Sequence, residues 1–410
     1  MKLLQNISRL IVGIVFIFSG FVKAIDPMGS TFKFTDYFIA FNMEWLGPAA
    51  TFLAVLLSAL EFVIGFALVN NAVTRISSVL MYIFMSFFTA LTLYLAITNP
   101  VTDCGCFGDA VKLTNWQTFF KNLVLMVPAT IVFLRRKHYV PRFNFGAQFI
   151  IIIIGVLISL YVSKQSYNHL PPIDFRPYKA GTYIPLAMNE DLQGAPQPKF
   201  DTRIVYEKDG EQKSFTTDNL PDSTWTWVET ISNQIDKGYE PPIQNFHLTD
   251  HMKQDVTDLV LSDDRFTLMV VAYDITRMPE ESWNMLHRIT DIGEADGFQV
   301  FMVTASTYEE VNQFKQEQAL HTTTYFADPI TLKTILRSNP GVVLLKNGLI
   351  LNKWHYNDFP DSNNMNEYAL YQASLDSKNQ NIMMMVGFFM ALWILLSAIF
   401  EIVGFKARYS

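Results

Sequence analysis

Cys104 and Cys106 are the only two cysteines among 410 residues, and they stand two positions apart in Cys104-Gly105-Cys106-Phe107-Gly108-Asp109. Thiol–disulfide exchange needs a thiolate attacker and a second sulfur to resolve the mixed disulfide, and this pair supplies both. Bridging residues i and i+2 requires α-carbons within ~4.4–6.8 Å, which a bend at Gly105 can provide. A small, strained ring is readily reduced and suits a donor of oxidising equivalents better than a structural staple. A static loop clip is the main alternative. A closed zinc site would need further ligands, and no histidine lies nearby in sequence. Asp103 and Asp109 flank the pair, and negative neighbours are expected to raise a thiol pKa and slow its attack.

Glu61 is the second residue singled out, because a carboxyl inside an apolar run is costly and is by default a functional hypothesis. It is read either as a proton carrier beside a quinone or a substrate thiol, or as a partner in an interhelical hydrogen bond with Ser58 or a hydroxyl on a neighbouring helix. Lys23 reads as an interfacial cation paired with Asp26. His247, His251, His287, His321 and His355 have no metal-ligand spacing and read as surface or core residues. Trp225 and Trp227 alternate on a stretch that reads as a strand or strap, and they read as packing anchors rather than a ligand box.

The elements that must position these groups are membrane helices. Half of the residues are hydrophobic, 34 are Phe and only 17% are charged, which is a membrane protein's composition. No basic patch with interleaved aromatics offers a nucleic-acid surface. Runs able to cross ~30 Å of hydrocarbon are read at Leu4–Ala24, Ala50–Val69, Ile76–Ile97, Trp116–Leu134, Phe149–Ser163 and Ile382–Gly404. Lys2 and Arg9 before the first run also fit a signal peptide, but Phe21-Val22 extends the run and Val22-Lys23-Ala24 is a poor cleavage site. Lys2, Arg9, Arg75, Arg135, Arg136, Lys137, Arg142, Lys406 and Arg408 fall on one side if the helices alternate, making that side cytoplasmic. The expectation is a multi-pass protein of a bacterial inner membrane, in contact with the bilayer, both termini cytoplasmic. The cysteine loop and residues 164–381 then face the oxidising periplasm, where a disulfide is permissible.

Within that polar segment, Tyr167–Pro198 reads as a Pro/Gly-rich linker or strap, and Arg203–Thr217 as a hairpin turning at Asp209-Gly210. From Pro241 to about Tyr356 strands and helices alternate, as in an α/β domain. The expected strands are Arg265–Asp274, Phe298–Ser306, Thr324–Ala327, Gly341–Leu345 and Leu349–Trp354. The expected helices are Glu280–Ala295, Tyr308–Ala319 and Ile330–Arg337. The Asp361–Asp376 stretch reads as a polar return to the last membrane helix.

Two resemblances follow. Phe18-Ser19-Gly20-Phe21-Val22-Lys23-Ala24-Ile25-Asp26-Pro27, Leu60-Glu61-Phe62-Val63-Ile64-Gly65, Asp103-Cys104-Gly105-Cys106-Phe107-Gly108-Asp109, Leu113-Thr114-Asn115 and Lys121-Asn122 resemble the DoxX-like superfamily and, within it, the methylamine-utilisation MauE family. That resemblance implies a four-helix bundle linked to disulfide metabolism of exported proteins, with a quinone as a looser candidate cofactor. Pro242-Ile243-Gln244-Asn245-Phe246-His247-Leu248-Thr249-Asp250 and Asn339-Pro340-Gly341-Val342-Val343-Leu344-Leu345-Lys346-Asn347-Gly348 resemble thioredoxin-like domains, the second stretch as a cis-proline strand and hairpin. Where that fold carries its redox Cys-x-x-Cys, this chain has Tyr273-Asp274-Ile275-Thr276-Arg277-Met278-Pro279-Glu280, with no sulfur nucleophile. A groove beside Met278 and Pro340 is left as a candidate partner-binding or docking surface.

The expected architecture is a four-helix membrane domain over 1–137, a fifth helix over 147–163, a linker and hairpin over 164–240, a cysteine-free thioredoxin-like periplasmic domain over 241–360, and a last membrane helix over 382–404. The expected function is thiol-disulfide redox or maturation support for exported proteins through Cys104 and Cys106, with an exported client or redox partner. The alternative is a noncatalytic scaffold that binds its client through the thioredoxin-like domain. A transporter has little support, since no paired intramembrane charges accompany Glu61 and no broken helices recur in matching halves.

Overall fold

A computed structural model describes residues 2–101, 103–141, 143–189, 194–197, 199–236 and 238–360. The expected helix Ile382–Gly404, the Asp361–Asp376 stretch, Lys406, Arg408 and Arg142 lie outside the described residues. Among the described residues five helices are long and apolar enough to span a bilayer. They belong to α1 (Lys2–Ile25), α3 (Ala50–Val69), α4 (Thr74–Thr98), α5 (Asn115–Leu134) and α6 (Phe145–Asn168), while α2 (Pro27–Ala40) lies between the first two. Phe52, Phe87, Val124 and Phe149 point outward from the bundle, the pattern of a surface solvated by lipid rather than water.

The first two spanning helices approach closely because glycine lines their contact. A Cβ at Gly20 would lie 2.7 Å from the Ser58 carbonyl oxygen, and one at Gly65 would lie 2.6 Å from the Gly13 carbonyl oxygen. Small residues at such crossings let backbones meet, which is how helices associate where the hydrophobic effect gives no drive. The atoms a larger side chain would meet are backbone and cannot swing aside. Gly20→Leu is therefore expected to separate α1 from α3 and destabilise the bundle by about 1–3 kcal/mol, measured by denaturant titration in detergent.

The segment between the first two spanning helices contains α2. Asp26 caps it by accepting from the Gly29 N–H at 2.8 Å, and Pro27 occupies the first turn. This Asp-Pro start is a readable helix signal. With 14 residues the helix is too short to span, and it rests at the end of the bundle that carries the cysteine loop.

Beyond the bundle, a short α7 (Ile184–Ala187) precedes β1 (Lys199–Lys208), β2 (Glu211–Thr216) and β3 (Thr226–Asp236), which form an antiparallel sheet of order β2-β1-β3. The β1–β2 turn falls at Asp209 and Gly210, whose φ values of 52° and 81° match the twist a two-residue hairpin needs. The third strand is an addition to the expected hairpin. Trp225 packs edge-on to Phe215 at 5.4 Å, but Trp227 is 59% exposed, so only the first tryptophan acts as an anchor.

After α8 (Thr257–Leu261) comes β4 (Phe266–Ala272), then α9 (Trp283–Asp296), β5 (Gln299–Thr304), α10 (Tyr308–Glu317), β6 (Thr323–Phe326), α11 (Pro329–Ile335), β7 (Gly341–Lys346) and β8 (Leu349–His355). The sheet order is β6-β5-β4-β7-β8. β4, β5 and β6 run parallel, and β7 and β8 are antiparallel to their neighbours. Both faces of this sheet are covered, so the central strands are apolar nearly throughout. The Asn339–Pro340 peptide is cis.

The Pro/Gly-rich strap is pinned rather than loose. Lys353 Nζ on β8 donates to Asp174 Oδ2 at 2.6 Å, the Tyr178 carbonyl at 2.9 Å and the Ile335 carbonyl at 2.7 Å. Gly181 N–H donates to the Ile350 carbonyl at 2.7 Å, while Tyr178 and Ile184 enter the apolar core below the sheet.

Candidate functional site

The α4–α5 loop is folded by its own sequence. Asp103 Oδ1 accepts from the Gly105 N–H at 2.9 Å, and Gly105 adopts φ +66°, a left-handed conformation that favours glycine. Donors from the bundle hold the carbonyls on either side of it. Tyr37 on α2 donates to the Cys104 carbonyl at 3.0 Å. Lys23 Nζ reaches the Cys106 carbonyl at 2.7 Å, and Ser19 Oγ lies 2.8 Å from the same oxygen. The two sulfurs are left 2.7 Å apart as free thiols.

Glu61 belongs to this arrangement. Lys23 and Glu61 form a buried ion pair at 2.7 Å, and Ser19 Oγ lies within 2.8 Å of both groups. Of the two readings of Glu61, the contact to a hydroxyl on a neighbouring helix is present, supplied by Ser19, with a cation added. The expected Lys23–Asp26 pairing is replaced, because the tight α1–α3 crossing places Glu61 beside Lys23 and Asp26 turns toward the α/β unit. Ser19 and Lys23 are one helical turn apart, the spacing that puts both on one face. That spacing is the signal that could have joined them to Glu61.

The loop's surroundings divide the two thiols. Cys106 is lowered to about 7, first by the hydrogen bond from Cys104, against the opposing effect of burial, with Lys121 and Lys23 adding favourable charge. Cys104 is raised well above the ordinary range by the same sulfur contact and by burial. The expected retarding influence of the flanking aspartates is offset by paired cations. Lys33 lies 3.2 Å from Asp103, and Arg337 donates to Asp109 at 2.9 Å. Alkylation of the reduced loop by a small reagent is therefore expected to rise through about pH 7 and level off above it, and to map to Cys106 by mass spectrometry.

The α/β unit reaches this loop through residues that sequence reasoning did not select. Arg337, 7% exposed, contacts Asp26 and Asp109 at 2.9 Å each. Tyr273 meets Phe32 of α2 edge-on at 6.0 Å, and Lys333 lies 4.9 Å above the Phe32 ring. Met278 and Pro340 are not brought to the cysteines: Met278 packs into the core above the sheet, and Pro340 is buried at the start of β7. Both side chains are buried.

A quinone carbonyl would need a free donor at the charged cluster. Lys23 has all three of its protons directed at Ser19 Oγ, Glu61 Oε2 and the Cys106 carbonyl. The residues there do not fit a quinone, and no step is derived through one. Among the described residues no group of three or more His, Cys, Asp or Glu is arranged to hold a metal.

Fold and site define an integral membrane protein whose helical bundle carries a dithiol loop at one end, beneath an α/β unit. Residues 1–135 match the family model described as Methylamine utilisation protein MauE. Residues 200–237, which include most of the three-stranded sheet, match a domain of unknown function, DUF8463. No curated protein matches the chain.

Proposed function

We propose that this chain exchanges disulfides with an exported partner protein through Cys104 and Cys106, as a MauE-type component of protein maturation. The observation that carries the reading is the pair of thiols 2.7 Å apart, one biased toward thiolate and the other toward thiol. In the capture direction the Cys106 thiolate attacks a partner disulfide, forming a mixed disulfide and releasing one partner thiolate. Cys104, losing its proton, then attacks Cys106 Sγ and releases the second. The products are the Cys104–Cys106 disulfide and a partner dithiol, with two electrons passed to the partner; the reverse sequence oxidises the partner.

The cysteine loop faces the periplasm in this reading, and the large segment shares that side of the inner membrane. Arg75, Arg135, Arg136 and Lys137 lie at the opposite end of the spanning helices, which supports a cytoplasmic location for that end. The α/β unit is read as a thioredoxin-like domain without its own sulfur, given its sheet order and the cis Asn339–Pro340 bond. It serves as a cover for the loop. The scaffold reading is weaker, because the face carrying Tyr273 and Arg337 is taken up by α2 and the loop, away from any client.

Thiol trapping of the full-length protein, before and after reductant, tests the exchange. Both cysteines should cycle reversibly between protected and alkylated forms. An inert pair, together with undisturbed maturation in Cys104→Ser and Cys106→Ser cells, would remove the proposal.

A further inference from the structure

We infer that Ser19, Lys23 and Glu61 are positioning residues, which fix Cys106 as the attacking thiol by holding its backbone carbonyl in the mouth of the bundle. The inference rests on the exchange reading and assigns the residues that prepare its nucleophile. Lys23 and Glu61 lie on different membrane helices and form an ion pair with side chains 9% and 8% exposed. Such a pair is not explained by stability. Two apolar side chains of similar volume in its place are often neutral or stabilising. The pair's remaining hydrogen bonds leave the helices. Lys23 and Ser19 each reach the Cys106 carbonyl, at 2.7 and 2.8 Å.

That contact has a geometric result. Tyr37 holds the Cys104 carbonyl on one side of Gly105, and the Lys23 cluster holds the Cys106 carbonyl on the other. With both carbonyls fixed and Gly105 at φ +66°, the Cβ vectors of the two cysteines converge and bring the sulfurs to 2.7 Å. The asymmetry comes chiefly from that sulfur contact, and the Lys23 cluster contributes by holding the carbonyls so that the contact is made, with Lys121 and Lys23 adding positive charge on the Cys106 side. Glu61 orients Lys23 and balances its charge, and touches neither sulfur.

The deciding variant is Lys23→Met with Glu61→Met, which removes the donor without stranding a buried charge. Cys104→Ser is placed in both backgrounds so that only Cys106 reacts, and the serine hydroxyl keeps a donor beside it. Iodoacetamide labelling of Cys106 at pH 7 should slow by roughly tenfold in the double methionine variant, as the Cys106 carbonyl is released and its sulfur loses the donor held beside it. Thermal unfolding in detergent checks that the bundle is intact. Lys23→Arg, which keeps charge and donors, should restore the rate to within about threefold. Labelling at the parental rate in an intact double variant overturns the inference. Where the double variant does not fold, Ser19→Ala decides: it removes one of the two groups at the carbonyl and should slow labelling by about threefold, while an unchanged rate overturns the inference.

The two readings fail separately. If the parent pair does not exchange with glutathione disulfide but labelling still falls in the double variant, exchange is lost and positioning stands. If the parent exchanges and the double variant labels at the parental rate, positioning is lost and exchange stands.

Discussion

Cys104→Ser is expected to capture glutathione disulfide as a stable mixed disulfide on Cys106, whereas Cys106→Ser should capture at least about tenfold less at pH 7. The difference follows from the environments of the two sulfurs. Cys106 is lowered to about 7, chiefly by the hydrogen bond from its neighbour, which biases it toward the thiolate at neutral pH. Cys104 is raised well above the ordinary range and is buried, so it is a poor attacker until a mixed disulfide forms beside it. Serine at 104 keeps a donor to Cys106 but cannot resolve the adduct. Intact-mass analysis and non-reducing gels measure both outcomes. Equal adduct yields, or capture mainly by the Cys106→Ser variant, would reverse the assignment of attacker and resolver.

Arg337→Met is expected to release the α/β unit from the bundle and to cost about 3–5 kcal/mol of docking, the penalty for removing one member of a buried charge pair. Arg337 is the shared cation of Asp26 and Asp109, so its loss leaves two part-buried carboxylates without it. The measurement is limited proteolysis of the α/β unit, alongside alkylation of Cys106, which should gain access as the cover loosens. Asp26→Asn with Asp109→Asn should partly restore docking to the Arg337→Met chain, because no carboxylate is then stranded. An Arg337→Met protein as protease-resistant as the parent would show that the contact contributes little.

The same contact has a pH dependence of defined sign. Burial pushes the Asp26 carboxyl up, but Arg337 and Arg176 outweigh it and hold the group below its usual value of 3.8. A depressed folded value means that the separated state binds protons more readily. The Asp26 contribution is therefore complete above the ordinary carboxylate range and is lost as pH falls through the lower folded value. Docking should persist at pH 6 and weaken below about pH 4.

Much of this arrangement is legible in the sequence, and for identifiable reasons. The spanning helices are visible because ~30 Å of hydrocarbon demands long apolar runs. The α/β strands are visible because buried central strands are apolar along their length, as in 266–272 and 341–345. Cys104 and Cys106 stand out by being the only thiols. Contacts between distant segments are not legible. Nothing local marks Arg337, whose partners lie 228 and 311 residues away, nor directs Glu61 toward Lys23 in preference to Ser58. The glycines at 13, 20 and 65 carried that information, since the residues that let two helices touch also decide which polar groups meet. At β3 only the alternation of Trp225 and Trp227 hints at a strand, one not distinguished from a strap, because Thr226–Asp236 is largely exposed and its strand character comes from pairing with β1.

The bridge made by Arg337 also sets an order of events during synthesis. The dithiol loop is complete once residue 109 has left the ribosome, while its cover is anchored by an arginine 228 residues later. At about 5–20 residues per second that interval lasts about 10–45 seconds. In the periplasmic reading proposed above, the loop spends that time without the arginine that anchors the α/β unit to it. On that reading, each newly made chain meets external oxidants and reductants before the α/β unit docks, and its surroundings during elongation set the redox state in which the loop is closed over.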